Sequence, residues 1–508
     1  YNKIGDEGAS GLGSALANCI NLSNLTLYLS YNKIGDEGAS GLGSGLANCI
    51  NLSNLTLQLS GNQIGKEGAS GLGSALANCI NLSNLTLGLS NNKIGDEGAS
   101  GLGSGLANCI NLSNLTLYLT YNKIGDEGAS GLGSALANCI NLSNLTLGLS
   151  ENQIGDEGAS GLGSGLANCI NLSNLTLQLY YSKIGDEGAS GLCSALANCI
   201  NLSNLTLDLR SQKINDEDLQ NLSDILKNCN NLSKLNLVLR SNEFGSLGVS
   251  SLGPALANCH NLQSLNIDFY YNLIDAQCVS NLISNLEKCI HLNKLELWVD
   301  CKVDEQSPQN IYSSLANCRN LSSITLYLEE NNIGDQQISN LGFTLTNCSQ
   351  LKKFKIYLYN NKIGPQGISN LGFALKMCPY LSSLTLNLNN NQIGDKGISD
   401  LSSCLISFPN LSQLVLSLNE NQIGDQGVQS LCFAFANCKN LYYLHFGFAR
   451  NLIGAHEVVQ YLGSGLCKNI RLQTLILSLF NNLDDAQKNK LSYKIQKMKR
   501  LVKKELCL

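Results

Sequence analysis

At 508 residues, with a net charge of −5 and only 14% charged residues, the chain carries no basic face of the kind a nucleic-acid partner would need. No run of 18 apolar residues occurs, which excludes a membrane-spanning helix. The length would suit about three or four ordinary domains, but the sequence repeats itself every 30 residues from its first residue, so one elongated array is expected instead.

The segments beginning at Tyr1, Tyr31, Gly61, Asn91, Tyr121, Glu151 and Tyr181 are near copies of one another. Within a period, Leu25, Leu27 and Leu29 alternate with Thr26, Tyr28 and Ser30, which predicts a strand with one buried face. Asn32, Ile34 and Gly35-Asp36 follow, then Leu42 and Leu46 four apart and Cys49; this spacing after an Asp cap predicts an amphipathic helix. One strand and one helix cannot bury a core alone, so neighbouring periods must stack. Gly8, Gly11 and Gly13 recur in the early helices, each costing about 0.8–1 kcal/mol against Ala. The compensating gain expected is close approach of neighbouring helices. Residues 1–210 hold 7 basic against 15 acidic residues, an excess owed to one Asp-Glu pair per period such as Asp6-Glu7.

Later periods diverge but keep the frame. Slips of one residue fall near Cys301, Phe480 and Ala455–Tyr461, all expected in loops. The Asn column (Asn32, Asn62, Asn92, Asn122, Asn152) should satisfy inward-turned loop backbone, since an amide supplies donors and an acceptor. Ser182, Gln212 and Cys301 break it, with Gln212 expected to cost local order. Residues 1–483 thus read as one continuous solenoid. Residues 484–508, with 8 basic against 3 acidic residues and an apolar stripe of Leu491, Ile495, Met498, Leu501 and Val502, read as a basic amphipathic capping helix.

The string carried by Leu22, Leu25, Leu27, Leu29, Asn32, Ile34, Gly35, Gly38, Leu42, Leu46 and Cys49 resembles the leucine-rich repeat of the ribonuclease-inhibitor-like class. It recurs about sixteen times over essentially the whole chain, and departs from the usual pattern by two extra residues and a third alternating Leu. The wording is also similar to long arrays of ciliated protists. The resemblance implies an α/β leucine-rich-repeat horseshoe of strand-helix repeats, with a concave parallel sheet and helices on the convex side. Strands spaced ~4.8 Å apart against helices roughly 8–10 Å apart would bend the array that way. It also implies a non-catalytic protein-binding scaffold.

Several motifs invite chemistry and are better read as structure. Fourteen of the 21 Cys residues occupy one position (Cys19, Cys49, Cys79 and onward to Cys438), a slot that Phe408 also fills. Buried reduced thiols are expected there, in a reducing, cytoplasmic setting, cytoskeletal and ciliary ones included. CxxC metal spacing is absent, and the four His residues form no ligand or triad pattern. The NLSNLT string holds two glycosylation sequons per period, and GDEGASGLG lacks the Gly-Lys-Ser/Thr ending of a phosphate loop. No cofactor, metal site or catalytic residue is expected.

Binding information lies in the positions that vary. One outward strand column runs from Tyr28 and Gln58 through Asp208, Asp268, Trp298, Tyr327 and Tyr357; the next runs through Tyr180, Arg210, Arg240, Tyr270, Asp300, Glu329 and Tyr359. Neighbouring leucines are buried, so these side chains should project from the open sheet face. A partner-binding surface is therefore expected at Tyr180, Arg210, Arg240, Asp268, Tyr270, Trp298, Asp300, Tyr327, Glu329, Tyr357 and Tyr359, rich in the residue types that dominate interfaces. The expected partner is a protein, with the chain monomeric or weakly self-associating through an open N-terminal end. Two rivals remain: the recognition arm of a larger enzyme, such as a kinase whose catalytic domain precedes Tyr1, or a self-assembling structural protein.

Overall fold

Among the described residues, nearly every period folds as one five-residue strand and one helix, and the buried leucines explain why. In the second period Leu52, Leu55, Leu57, Leu59, Ile64, Ala69, Leu72 and Leu76 are all 3% exposed or less. Each large aliphatic side chain so covered contributes about 1.5–3 kcal/mol, enough to offset a helix rich in glycine. The computed structural model describes residues 2–301, 313–452, 455–479, 485–498 and 500–507. They form two compact units, one of residues 1–262 and 266–272, the other of residues 263–265 and 273–508.

The first unit holds helices α1 (Asp6–Leu16), α2 (Asp36–Leu46), α3 (Lys66–Leu76), α4 (Gly95–Leu106), α5 (Asp126–Leu136), α6 (Asp156–Leu166), α7 (Asp186–Leu196), α8 (Asp216–Leu226) and α9 (Ser246–Asn258). They alternate with strands β1 (Asn24–Tyr28), β2 (Asn54–Gln58), β3 (Asn84–Gly88), β4 (Asn114–Tyr118), β5 (Asn144–Gly148), β6 (Asn174–Gln178), β7 (Asn204–Asp208) and β8 (Lys234–Val238). Strand β9 (Ser264–Asp268) follows. Every strand from β1 to β8 pairs parallel with the next at a shift of one full period, Leu25 beside Leu55 beside Leu85.

In the second unit, α10 (Ala276–Asn285) precedes β10 (Lys294–Trp298) and β11 (Ser323–Tyr327). Then come α11 (Asp335–Leu345), β12 (Lys353–Tyr357), α12 (Pro365–Lys376), β13 (Ser383–Asn387), α13 (Gly394–Ile406) and β14 (Gln413–Ser417). The unit ends with α14 (Asp425–Asn437), β15 (Tyr443–Gly447), α15 (Ala455–Lys468), β16 (Thr474–Ser478), α16 (Asp485–Gln496) and β17 (Lys503–Cys507). Strands β10 to β17 pair parallel in order.

The asparagine column works as a ladder between periods. The Asn62 Oδ1 atom accepts the Asn32 and Ile34 amides at 2.9 and 3.0 Å, while its Nδ2 donates to the Leu29 and Leu59 carbonyls at 3.0 and 2.8 Å. Gln212 corrects the expected loss of order. Its longer amide still reaches Leu179 O at 2.7 Å and accepts from Ile184 N at 3.1 Å. Ser182 is too short, and its buried hydroxyl finds no partner.

Helix capping also differs from the expectation that each Asp caps its own helix. Asp36 Oδ1 instead accepts the Gly65 and Gly68 amides, both at 2.7 Å, so the first turn of one period caps the helix of the next. A Cβ at Gly68 would lie 2.7 Å from that carboxylate oxygen, which explains the glycine. Where the preceding Asp is replaced, by Lys66 or by Pro365, the following glycine turns left-handed: Gly95 has φ 61° and Gly394 φ 59°. Helix approach is as close as the glycines suggested, for a Cβ at Gly45 would stand 1.9 Å from Gly13 O.

Two further readings need correction. The C-terminal segment is not one helix: α16 stops at Gln496, Val502 is 86% exposed, and Lys503–Cys507 joins the sheet beside β16. Leu491, Ile495, Met498 and Leu501 are buried as expected. The slip at Ala455–Tyr461 falls within α15, not in a loop. Residues 302–312 and 480–484, where the slips after Cys301 and at Phe480 fall, lie outside the described residues.

Candidate functional site

In-register parallel pairing turns each variable sequence column into a row of adjacent side chains on the sheet face that bears no helices. In the second unit, Trp298, Tyr327 and Tyr357 are direct register partners on β10, β11 and β12. Their rings stack, Trp298 on Tyr327 with centroids 3.3 Å apart and Tyr327 on Tyr357 at 4.4 Å, tilted by 11° and 7°. Ring stacking fits because neighbouring strands are spaced about 4.8 Å apart. All three are half-buried, and burial pushes the Tyr327 and Tyr357 phenols above their ordinary range. Asp300 and Glu329 are half-buried at the next outward position, and Tyr359 is exposed.

The first unit holds a different arrangement. Arg210 grips Asp208 through Nε to Oδ1 at 2.9 Å and Nη2 to Oδ2 at 2.5 Å, and its guanidinium lies 4.7 Å from the centre of the Tyr180 ring. Arg240 lies 5.0 Å over Tyr270 and 4.9 Å over Tyr271. Asp268 accepts the Tyr270 amide at 3.0 Å; its burial raises the carboxyl pKa, against the lowering pull of that bond and of Arg240 and Arg210.

Asp268 and Tyr270 therefore do not project as expected. They are 9% and 8% exposed, because Arg240 covers the tyrosine face and Tyr271 packs edge-on at 4.8 Å. Tyr180, Arg210 and Arg240 are half-buried. Sequence reasoning placed Asp208 in the outward column without assigning it to the binding surface, and it passed over Tyr181 and Tyr271. The pair was detectable as an acid two residues before an arginine, Asp208 at the end of β7 and Arg210 just past it. Tyr181 and Tyr271 adopt φ 53° and 55°, a backbone state that a side-chain pattern does not reveal.

The thiol column is buried except at its first member. Cys49, Cys79, Cys109 and their equivalents are covered, whereas Cys19 is exposed. Burial pushes the Cys109 thiol up to about 12 and the Cys139 thiol to about 11. Most of the column thiols donate to a carbonyl one period back, as Cys109 does to Leu76 O at 3.4 Å. Among the described residues no group of three or more His, Cys, Asp or Glu residues could hold a metal ion. Among them, too, no helix is long and apolar enough to cross a membrane.

Eight stretches match the model of the family described as Leucine Rich repeat: residues 21–43, 51–73, 81–103, 111–133, 141–163, 171–193, 380–402 and 414–432. With one buried-leucine strand and, in nearly every period, one helix, that match decides the architecture. The fold is that of an α/β leucine-rich-repeat solenoid. Among solved structures, a leucine-rich-repeat protein of Leptospira interrogans aligns over 97% of this chain and 98% of its own, at 18% identity and a TM-score of 0.54. An internalin from Listeria monocytogenes aligns over 78% of this solenoid and 87% of its own chain, at 22% identity and a TM-score of 0.46. The likeness to the Leptospira protein concerns the fold alone. No curated protein sequence matches significantly.

Proposed function

We propose that this solenoid is a non-catalytic scaffold that binds a protein partner on the helix-free face of its sheet, with the Trp298–Tyr327–Tyr357 stack as anchor. The stack itself carries the reading. Three large rings on adjacent strands contribute nothing to the aliphatic core, yet they are held rigidly at an accessible face. Stacking removes most of their side-chain freedom before a partner arrives, which lowers the cost of binding. Rigid aromatics with polar ends are the side chains that dominate interface energetics. Asp300, Glu329 and Tyr359 extend this anchor outward, and the Tyr180–Arg210–Arg240–Asp268–Tyr270 group forms a second, internally satisfied patch. The column of high-pKa thiols suits a reducing compartment.

The test is affinity recovery of partner proteins with the wild-type chain and with the triple variant Trp298→Ala, Tyr327→Ala and Tyr357→Ala. The partner bound by the wild type should be lost or reduced at least tenfold, while folding is unchanged by circular dichroism. Equal recovery by the folded variant would place the binding surface elsewhere.

A further inference from the structure

One isoleucine per period stands where the fold does not require it. Ile20 and its equivalents at thirty-residue intervals to Ile200 follow the ladder cysteine, at the corner between helix and strand, and each is 53–59% exposed. Successive corners are tied together: Asn51 Nδ2 donates to Ile20 O at 2.8 Å and Asn81 Nδ2 to Ile50 O at 2.9 Å, while Ser53 N donates to Ser23 O at 2.9 Å. The isoleucines thus follow one another at strand spacing, about 4.8 Å, in a stripe roughly 30 Å long. Their exposed part amounts to on the order of 450 Å² of apolar surface at the usual conversion between buried area and transfer energy. A contiguous patch of a few hundred Å² on a soluble chain marks an interaction surface.

The surroundings narrow the occupant. No charged residue occurs from Gly8 to Ser30, nor at the equivalent positions of the next five periods. Nothing there would attract a nucleic acid or a charged lipid headgroup. What flanks the stripe is asparagine and serine. The column then becomes Asn230 and His260, so the stripe is bounded. Seating all seven isoleucines at once requires a partner surface with the same pitch. The stripe on a second copy of this chain has that pitch.

We propose that two copies associate side by side through this stripe, antiparallel about a twofold axis at Ile110. In a twofold interface the same patch serves both copies. Ile110 then meets Ile110, and Ile20 meets Ile200 of the other copy. The isoleucines alone bury about 900 Å² in total, close to the ~1,000 Å² expected of a biological interface before the flanking asparagines add theirs. This association is independent of the aromatic face proposed for partner binding.

Two measurements on the full chain test it. Sedimentation of the wild type should show a concentration-dependent rise from monomer to dimer mass up to about 100 µM, the weak-to-moderate range for such an area. The variant Ile80→Asp, Ile110→Asp, Ile140→Asp should stay monomeric; these exposed sites leave the fold intact. A second test makes Ile110→Cys in a background of Cys19→Ser, Cys467→Ser and Cys507→Ser. Mild oxidation should yield a covalent dimer, which Ile50→Cys in the same background should not. A wild type that remains monomeric, a dimer indifferent to the three aspartates, or equal cross-linking at both positions would each overturn the proposal.

Discussion

Replacing Asn152 with Ala tests the inter-period amide ladder directly. Asn152 Oδ1 accepts the Asn122 amide at 2.9 Å and the Ile124 amide at 3.0 Å, and Nδ2 donates to Leu119 O and Leu149 O at 3.0 and 2.8 Å. Asn152→Ala strands three buried backbone groups, the Asn122 and Ile124 amides and the Leu149 carbonyl, whereas Leu119 O keeps the Asn122 side-chain amide at 3.0 Å. Each orphaned buried group costs about 1–3 kcal/mol, so the local loss should be at least ~3 kcal/mol. A long array need not unfold in one step, so a bulk melting curve would dilute the effect. Hydrogen exchange reads it locally: the Asn122 and Ile124 amides should lose at least a hundredfold of protection, while Ile64, two periods away, is unchanged. The natural gap at Ser182 supplies the converse, because Ser182→Asn should raise protection at Ile154. Unaltered exchange at Asn122 and Ile124 in Asn152→Ala would refute the ladder as a source of cohesion.

Other expectations follow from single contacts. Gly45→Ala should lower the denaturant midpoint, since the new methyl carbon meets Gly13 O at 1.9 Å, whereas Gly11→Ala meets nothing within 4 Å and should stabilise by about 0.8–1 kcal/mol. Thiol titration at pH 8 should modify the exposed Cys19 and Cys467 promptly and the buried column only after denaturation, because burial keeps those thiols protonated. Asp218 is held at about 6, mainly by burial and further by the neighbouring Asp186 and Glu217, against the opposing hydrogen bond from Asn215. A carboxyl whose folded pKa exceeds its unfolded value binds more protons when folded, so this group makes stability fall as pH rises from about 4 to about 6. Asp218→Asn should remove that slope in urea titrations run at a series of pH values; an unchanged slope would assign it to other groups.

The repeat architecture was legible in the residues because it depends on periodicity alone. Leucines alternating at Leu25, Leu27 and Leu29 can form only a one-sided strand, and a thirty-residue return can bury that side only by stacking. Local pattern also located the buried thiols and the column of Trp298, Tyr327 and Tyr357. What the sequence could not disclose was which period a polar side chain serves. Asp36 looks like the cap of its own helix, yet its carboxylate reaches the helix of the following period, because stacking brings that terminus nearer than its own amides. Gln212 looks like a defect and bonds as its asparagine neighbours do, since one extra methylene still reaches Leu179 O. Tyr270 and Asp268 read as exposed, but a strand pattern reports only which face a residue takes, not that Arg240 from the adjacent strand will lie over it. The same reason explains the end of the chain: a stripe at helical spacing marks the buried side chains to Leu501, while the unpaired edge of β16 draws the last residues into a strand. Hydrophobic burial is written in spacing, whereas polar pairing is decided by which groups the stacked periods bring within reach.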